Sequence, residues 1–187
     1  MLFNKFIMGK ELIEKAKDFA TKCHKGQTRK FNGREYIQHP SAVAAEVEAH
    51  GGTSEMIAGA WLHDVVEDCD VKIETIGKMF GEVVAKLVDE LTNPKSVDSG
   101  DKKTEYMAHK TTVMSSDGLT IKLCDRKNNT SDFVHSDPQW AIKYANKTRI
   151  ILNAIDDSGR PLNIQQKKLI DDINKSITPY EDENKEI

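Results

Sequence analysis

Apolar residues recur along this chain at intervals of three and four, which is the period of an amphipathic helix. They follow this pattern in residues 9–23, 54–69, 73–80 and 138–155, among others. Strict alternation of apolar and polar residues would indicate β-strands. The sequence contains no clear pair of segments with this alternation that could form a sheet. The pattern therefore predicts a compact all-α fold of about eight helices.

Length and composition fit one folded domain with a short tail. The 187 residues are 38% hydrophobic and 30% charged, which suits a globular protein with a full core. We predict a single domain over residues 1–177 and a flexible acidic tail over residues 178–187. The sequence lacks the long apolar run that a membrane span needs. A net charge of −3 gives no reason to expect nucleic-acid binding.

The cysteines provide information about the cellular compartment of the protein and not about its reaction. Cys23, Cys69 and Cys124 are widely spaced, and the sequence contains no CxxC pair. This pattern favours reduced thiols in an intracellular, cytoplasmic protein. Each cysteine is more typical of a small buried hydrophobic residue than of a reactive group.

The most informative segment is the octad of residues 61–68, which reads Trp-Leu-His-Asp-Val-Val-Glu-Asp. On one continuous helix His63 lies over Glu67 and Asp64 lies over Asp68, because residues four apart share a face. An ordinary charged helix edge would also contain acidic residues. However, three carboxylates within two turns repel one another, and beside apolar neighbours they need a cation or a shared proton. The octad therefore favours a metal or phosphate site.

Two other segments supply further candidate ligands. His39 precedes a proline at the predicted start of a helix, and Asp125 follows residues 121–124, which are apolar apart from Lys122, in a predicted buried helix. With His63 and Asp64 they make a set of two imidazoles and two carboxylates. Such a set suits Mn²⁺, Fe²⁺ or Zn²⁺ better than Mg²⁺, which prefers oxygen ligands. We expect the site where the helix carrying His63 meets the helix carrying Asp125.

A basic loop precedes the candidate ligands. Residues 24–36 contain two glycines and five basic side chains, namely His24, Lys25, Arg29, Lys30 and Arg34. Such a loop is by itself typical of a solvated surface, but beside a metal site it would clamp phosphate, because Arg and Lys pair with phosphate oxygens. A metal ion with open positions makes hydroxide available near neutral pH. With Glu67 and Asp68 as proton-handling groups, these parts predict metal-assisted hydrolysis of a phosphate ester or anhydride.

The ordered motifs resemble the HD superfamily of metal-dependent phosphohydrolases. They look most like the hydrolase domain of the RelA/SpoT alarmone enzymes in its small stand-alone form. The resemblance rests on five segments, which are residues 24–30, 33–40, 62–68, 80–88 and 121–129. It implies an all-α, Mn²⁺-dependent hydrolase that removes the 3′-pyrophosphate of guanosine 3′,5′-bis(diphosphate) or the pentaphosphate, leaving GDP or GTP.

The resemblance also implies a role for each matching residue. The metal ligands would be His39, His63, Asp64 and Asp125, and the catalytic carboxylates would be Glu67 and Asp68. Arg29 and Lys30 would hold phosphates, and Asn129 would contact the nucleotide. Two further substrate-binding candidates come from the sequence pattern itself: Lys25 of the basic loop, and Asp132, which shares a predicted helix face with Asp125 and Asn129. His24 matches a motif position at which the family has no ligand, so we interpret it as a support for the ligands.

Two departures from the family pattern leave the substrate open. After Asp125 and Arg126 the chain has Lys-Asn-Asn where many members have Leu-His-Asn, and Asp132 stands where long enzymes often place a threonine. One alternative is hydrolysis of another nucleotide, such as removal of the 2′-phosphate of NADPH. Another is an HD domain that binds a nucleotide without catalysis. In each case the expected partner is a small nucleotide, with no nucleic acid and no membrane, and the sequence predicts no oligomeric state.

Overall fold

A computed structural model describes residues 2–30, 33–94 and 101–181. In these ranges the regular structure is helical, apart from one isolated antiparallel bridge between Thr28 and Glu35, so the all-α prediction is confirmed. The α-helices in this part of the chain are α1 (Leu2–Cys23), α2 (Gln38–Ala49), α3 (Ser54–Leu62), α4 (Val65–Asp68), α5 (Ile73–Phe80), α6 (Glu82–Leu91), α7 (Asp101–Val113), α8 (Ser116–Ser131), α9 (Pro138–Asp157) and α10 (Ile164–Ile177). None of these helices is both long enough and apolar enough to cross a membrane.

The helices fall into two compact units, residues 1–94 and residues 95–187. Helix α3 is the centre of the first unit, where α1, α2 and α6 pack against it. Its N-cap, Thr53, accepts a hydrogen bond from the backbone N–H of Met56. All residues from Met56 to Leu62 are buried, as expected of a helix that is apolar on every side. The residues that follow Leu62 are therefore attached to a rigid core element.

The prediction of one continuous helix over residues 54–69 is wrong, because α3 ends at Leu62 and α4 begins at Val65. His63 and Asp64 form the turn between the two helices. The Ala60 carbonyl, which a continuous helix would use as the acceptor for residue 64, receives the ring N–H of His63 at 2.8 Å. Both turn residues keep α-region backbone angles, so the spacing of the octad resembles a helix although the helix is interrupted.

In the second unit α7 packs against α9, and α8 packs against α10. Helix α8 is buried from Gly118 to Ile121 and again from Leu123 to Arg126, which confirms the predicted buried helix. The buried amide of Gln166 on α10 donates to the carbonyl of Ser116 at 2.9 Å and to the hydroxyl of Thr120 at 3.1 Å. These bonds fix the start of α8 against α10. The prediction of a single domain over residues 1–177 stays a prediction.

The first residues of the predicted flexible tail have contacts within the second unit. Thr178–Tyr180 form a 3₁₀-helix, and the carboxylate of Glu181 accepts hydrogen bonds from Arg149 at 2.6 and 3.2 Å. The ring of Tyr180 also lies 4.9 Å from that of Phe133. Residues 182–187 lie outside the described residues, and the flexible tail over residues 178–187 stays a prediction.

Candidate metal centre

Two histidines converge on one carboxylate oxygen in the first unit. The Oδ2 atom of Asp64 lies 3.0 Å from Nε2 of His63 and 3.6 Å from Nε2 of His39. The two imidazole rings are 5.1 Å apart and steeply inclined, at 70°. Both histidines are buried, and the side chain of Asp64 is 16% exposed. The structure therefore brings together three of the four predicted metal ligands within this unit.

Helix ends position these three side chains. His39 lies in the first turn of α2, and His63 and Asp64 lie in the turn that follows α3. Because α2 packs against α3, the start of one helix reaches the end of the other. All three groups are thus attached to the packed core and not to a free loop.

The hydrogen bond of the His63 ring shows which of its nitrogens can bind a metal ion. Its Nδ1 atom lies 2.8 Å from the carbonyl oxygen of Ala60. A carbonyl oxygen only accepts hydrogen bonds, so Nδ1 carries a ring proton and Nε2 is the nitrogen that a metal ion can use. Nε2 lies 3.0 Å from Oδ2 of Asp64, so both atoms are within reach of one cation. Imidazole nitrogens and a carboxylate oxygen suit a divalent transition ion, so the residues present fit the predicted kind of metal.

Tyr36, to which the sequence pattern assigned no role, belongs to the same cluster. Its hydroxyl donates a hydrogen bond to Oδ2 of Asp64 at 2.7 Å. Its ring lies 4.9 Å from the ring of His24 and 5.9 Å from that of His39. The available signal was its place three residues before His39, within the same motif.

The basic loop folds back on itself as a short hairpin. Two backbone hydrogen bonds flank the bridge between Thr28 and Glu35. The N–H of Arg29 donates to the carbonyl of Arg34 at 2.8 Å, and the N–H of Tyr36 donates to the carbonyl of Gln27 at 2.9 Å. The hairpin therefore carries the chain from the end of α1 back to the metal cluster.

The predicted phosphate-binding residues lie on this hairpin. Lys25 and Lys30 are exposed, while Arg29 is partly buried. Exposure leaves the two lysine side chains accessible to a ligand. Their roles, and that of Arg29, stay predictions.

His24 contacts the residues around the cluster. Its Nδ1 lies 2.8 Å from Oε1 of Gln27 and 3.4 Å from Sγ of Cys69. The amide nitrogen of Gln27 in turn donates to the backbone carbonyl of Asp68 at 3.3 Å. The imidazole is buried, and its Nε2 has no hydrogen-bond partner in the described part of the chain. These contacts agree with a supporting role, which stays a prediction.

The two predicted catalytic carboxylates have different surroundings. Glu67 is partly buried, and its Oε1 accepts a short hydrogen bond from the backbone N–H of Asn93. Asp68 is exposed at the end of α4, but partial desolvation and the negative charge of Asp64 raise its pKa. The nearby hydroxyl of Tyr36 opposes this shift in pKa. Glu67 is thus held in a fixed orientation, whereas Asp68 keeps its proton to higher pH than an ordinary aspartate.

Asp125, the fourth predicted ligand, lies in the second unit on α8. It is buried and accepts hydrogen bonds from Nζ of Lys122 at 2.9 Å and from Nδ2 of Asn129 at 2.6 Å. Burial alone would lower the pKa of Lys122, but the ion pair with Asp125 raises it on balance. Each carboxylate oxygen has two lone pairs, so these bonds do not by themselves exclude a metal ion. Its role as a ligand stays a prediction.

The two predicted nucleotide contacts also lie in the second unit. Asn129 supports the carboxylate of Asp125 through the 2.6 Å hydrogen bond. Asp132 is partly buried at the start of a 3₁₀-helix, Asp132–His135. A contact of either residue with a nucleotide remains a prediction.

Comparisons with known proteins agree with the fold and the ordered motifs. The model of the HD domain family matches residues 16–152. A Synechocystis relative is 36% identical over 145 residues, which are 75% of this chain but 19% of that protein. The guanosine-3′,5′-bis(diphosphate) 3′-pyrophosphohydrolase MESH1 of Xenopus tropicalis is 34% identical over 134 residues, which are 70% of this chain and 74% of that protein.

A solved structure shares the fold. The structure of a metazoan ortholog of SpoT matches with a TM-score of 0.77 and 24% sequence identity, over 89% of this chain and 96% of that chain. At this identity the likeness shows the fold alone. The range matched by the family model contains all four predicted metal ligands and both predicted catalytic carboxylates.

Proposed function

Since the chain belongs to the HD domain family, we propose that it is a metal-dependent hydrolase of guanosine 3′,5′-bis(diphosphate) and of the pentaphosphate. It would remove the 3′-pyrophosphate and leave GDP or GTP. The observation that carries the proposal is the convergence of His39 and His63 on Oδ2 of Asp64. The Xenopus relative is named for this activity, and the metazoan SpoT ortholog hydrolyses ppGpp.

The proposed metal ion is Mn²⁺, with Fe²⁺ and Zn²⁺ as alternatives, and its ligands are His39, His63, Asp64 and Asp125. Geometry within the first unit supports the first three ligands. Burial and position in the motif support Asp125. When bound, the ion would supply a water nucleophile near neutral pH and neutralise phosphate charge.

Glu67 and Asp68 would have different tasks in the proton transfers of the reaction. Glu67, held by the backbone N–H of Asn93, suits the task of orienting the attacking water. Asp68, with its raised pKa, suits the donation of a proton to the ribose 3′ oxygen as the P–O bond breaks. The difference in their surroundings supports this assignment.

The substrate-binding roles follow from the same proposal. Lys25, Arg29 and Lys30 would bind phosphate oxygens, since cationic side chains pair with them. Asn129 and Asp132 would contact the nucleoside. The protein would act in the cytoplasm on a small nucleotide, as a hydrolase of the stringent-response alarmone.

One comparison of substrates tests this proposal. Protein loaded with Mn²⁺ is supplied with guanosine tetraphosphate or with NADPH, and ³¹P NMR identifies the product. Pyrophosphate release from the tetraphosphate is expected, and the Asp64→Asn variant should release none. Orthophosphate release from NADPH, without hydrolysis of the tetraphosphate, would overturn the proposed substrate but would agree with a hydrolase activity. Tight nucleotide binding without turnover would overturn the proposed hydrolase activity as well.

A further inference from the structure

We infer that Tyr36 is a positioning residue that presents Oδ2 of Asp64 to the metal ion. This inference rests on the proposed metal centre and adds a residue to it. It concerns the orientation of a ligand, and it does not depend on which nucleotide is hydrolysed.

The hydroxyl of Tyr36 selects one oxygen of the Asp64 carboxylate. It donates to Oδ2 at 2.7 Å, and Oδ2 is the same oxygen that faces Nε2 of His63 and Nε2 of His39. A carboxylate rotates easily about its last torsion, so its two oxygens can exchange places. A hydrogen bond to the oxygen that faces both imidazoles opposes this rotation. Partners of this kind orient metal ligands in general.

The phenol ring is itself held in place from two sides. The His24 ring lies 4.9 Å away at a tilt of 35°, and the His39 ring lies 5.9 Å away edge-on, at 71°. The backbone N–H of Tyr36 donates to the carbonyl of Gln27, and the side chain of Gln27 is bonded to His24. The hydroxyl therefore reaches Asp64 from a ring with little freedom to turn away. This arrangement also gives the buried His24 a function, which is to hold Tyr36.

The test removes the hydroxyl and keeps the ring. Tyr36→Phe should weaken Mn²⁺ binding by about 10- to 100-fold, the usual effect of losing a partner that orients a ligand. Isothermal titration calorimetry of metal-free protein measures this affinity without any substrate. Tyr180→Phe, which removes a hydroxyl from a ring packed on Phe133, is the matched control and should bind Mn²⁺ like the wild type. Wild-type affinity in Tyr36→Phe would overturn the inference.

The metal dependence of activity and the kcat at saturating Mn²⁺ together distinguish a positioning role from a general structural defect. In Tyr36→Phe the Mn²⁺ concentration for half-maximal activity should rise by the same factor as the dissociation constant. The kcat at saturating Mn²⁺ should stay within a few-fold of wild type. A large fall in kcat at saturating Mn²⁺ with unchanged metal affinity would contradict a positioning role.

A measurement on the wild type covers the case in which the variant does not fold. With ¹³Cζ-labelled tyrosine, addition of diamagnetic Zn²⁺ should shift the Tyr36 resonance and leave Tyr180 unchanged. An unchanged Tyr36 resonance, or wild-type protein that binds no divalent ion, would overturn the inference. Metal binding that depends on Tyr36 without alarmone hydrolysis would overturn only the proposed function.

Discussion

Nε2 of His63 and Oδ2 of Asp64 lie 3.0 Å apart, and Nδ1 of His63 lies 2.8 Å from the Ala60 carbonyl. The imidazole and the carboxylate therefore offer two ligand atoms to one cation, while the charge of Asp64 also repels that of Asp68. A bound cation relieves this repulsion between the carboxylates. The metal centre should therefore contribute to stability as well as to activity.

The first prediction concerns Asp64→Asn. The variant should lose Mn²⁺ binding, while its metal-free form should be at least as stable as metal-free wild type because the charge repulsion between Asp64 and Asp68 has been removed. Mn²⁺ at 100 times its dissociation constant should stabilise the wild type by about 2.7 kcal/mol and leave the variant unchanged. Thermal melts with and without a chelator provide the measurement. A full Mn²⁺ shift in the variant would show that Asp64 is not a ligand.

The second prediction separates Glu67 from the metal ligands. Glu67→Gln keeps a side-chain oxygen that can accept from the N–H of Asn93, so the fold and the Mn²⁺ affinity should persist. The variant should lose the proton-accepting group, and kcat should fall by about 10²- to 10⁴-fold. Calorimetry and steady-state kinetics on one preparation measure both quantities. Full activity would show that Glu67 has only a structural role.

The third prediction concerns the carboxyl group of Asp68 in metal-free protein. Desolvation and the charge of Asp64 raise its pKa above the ordinary value of 3.8, so the folded state binds this proton more tightly than the unfolded state does. Its contribution to stability is therefore largest below pH 3.8 and declines as the pH rises through the folded-state pKa. ¹³C NMR titration of the carboxyl should give a midpoint above 3.8.

A matched variant checks the sign of this effect. Metal-free Asp68→Asn cannot ionise at this position, so above the folded-state pKa it should be more stable than wild type. Below the ordinary aspartate pKa the two proteins should be equally stable. Lower stability of the variant at neutral pH, measured by urea unfolding, would contradict the raised pKa.

The helical pattern and the candidate site at His63 and Asp64 could be predicted from the sequence for a physical reason. Burial imposes a period close to 3.6 on apolar residues, and that period is visible in a single sequence. Charged and ionisable residues next to such runs, as at His63 and Asp64, are costly without a partner, so they mark a site. Both signals depend on residues that are close together in the sequence, so they can be recognised without knowledge of tertiary contacts.

The remaining features depend on contacts that a linear pattern does not contain. The break between α3 and α4 accompanies a bond from the His63 ring to the Ala60 carbonyl, while the backbone spacing stays helix-like. The role of Tyr36 arises because the hairpin brings it to Asp64, 28 residues further along the chain. The position of Glu181 likewise depends on Arg149, 32 residues away. The last two are tertiary contacts, whereas the bond of His63 to Ala60 is local but depends on a side-chain orientation that the pattern does not specify.

The fourth prediction is that Cys69 is unreactive. Burial, followed by the proximity of Cys23, raises the pKa of the Cys69 thiol to about 11, so little thiolate exists near neutral pH. Iodoacetamide at pH 8 should leave Cys69 unmodified in native protein and alkylate it in urea, as peptide mass spectrometry would show. Rapid alkylation of the native protein with loss of activity would contradict this environment.

The fifth prediction concerns the hairpin that we propose to bind phosphate. Arg29→Ala should mainly raise KM and change kcat little, because it removes a contact present in both the ground state and the transition state. Lys22→Ala, an exposed charge change at the end of α1, is the control and should leave KM unchanged. An equal KM for Arg29→Ala and wild type would remove Arg29 from the proposed clamp.

The central claim is that one metal ion, held by the imidazoles and carboxylates, enables pyrophosphate release. Its most direct test is a titration of chelator-treated protein with Mn²⁺, in which pyrophosphate release from guanosine tetraphosphate is followed at each addition. We predict no release without metal and a linear rise that ends at one Mn²⁺ per chain. Pyrophosphate release that persists in excess chelator, or that never appears at saturating Mn²⁺, would contradict the account.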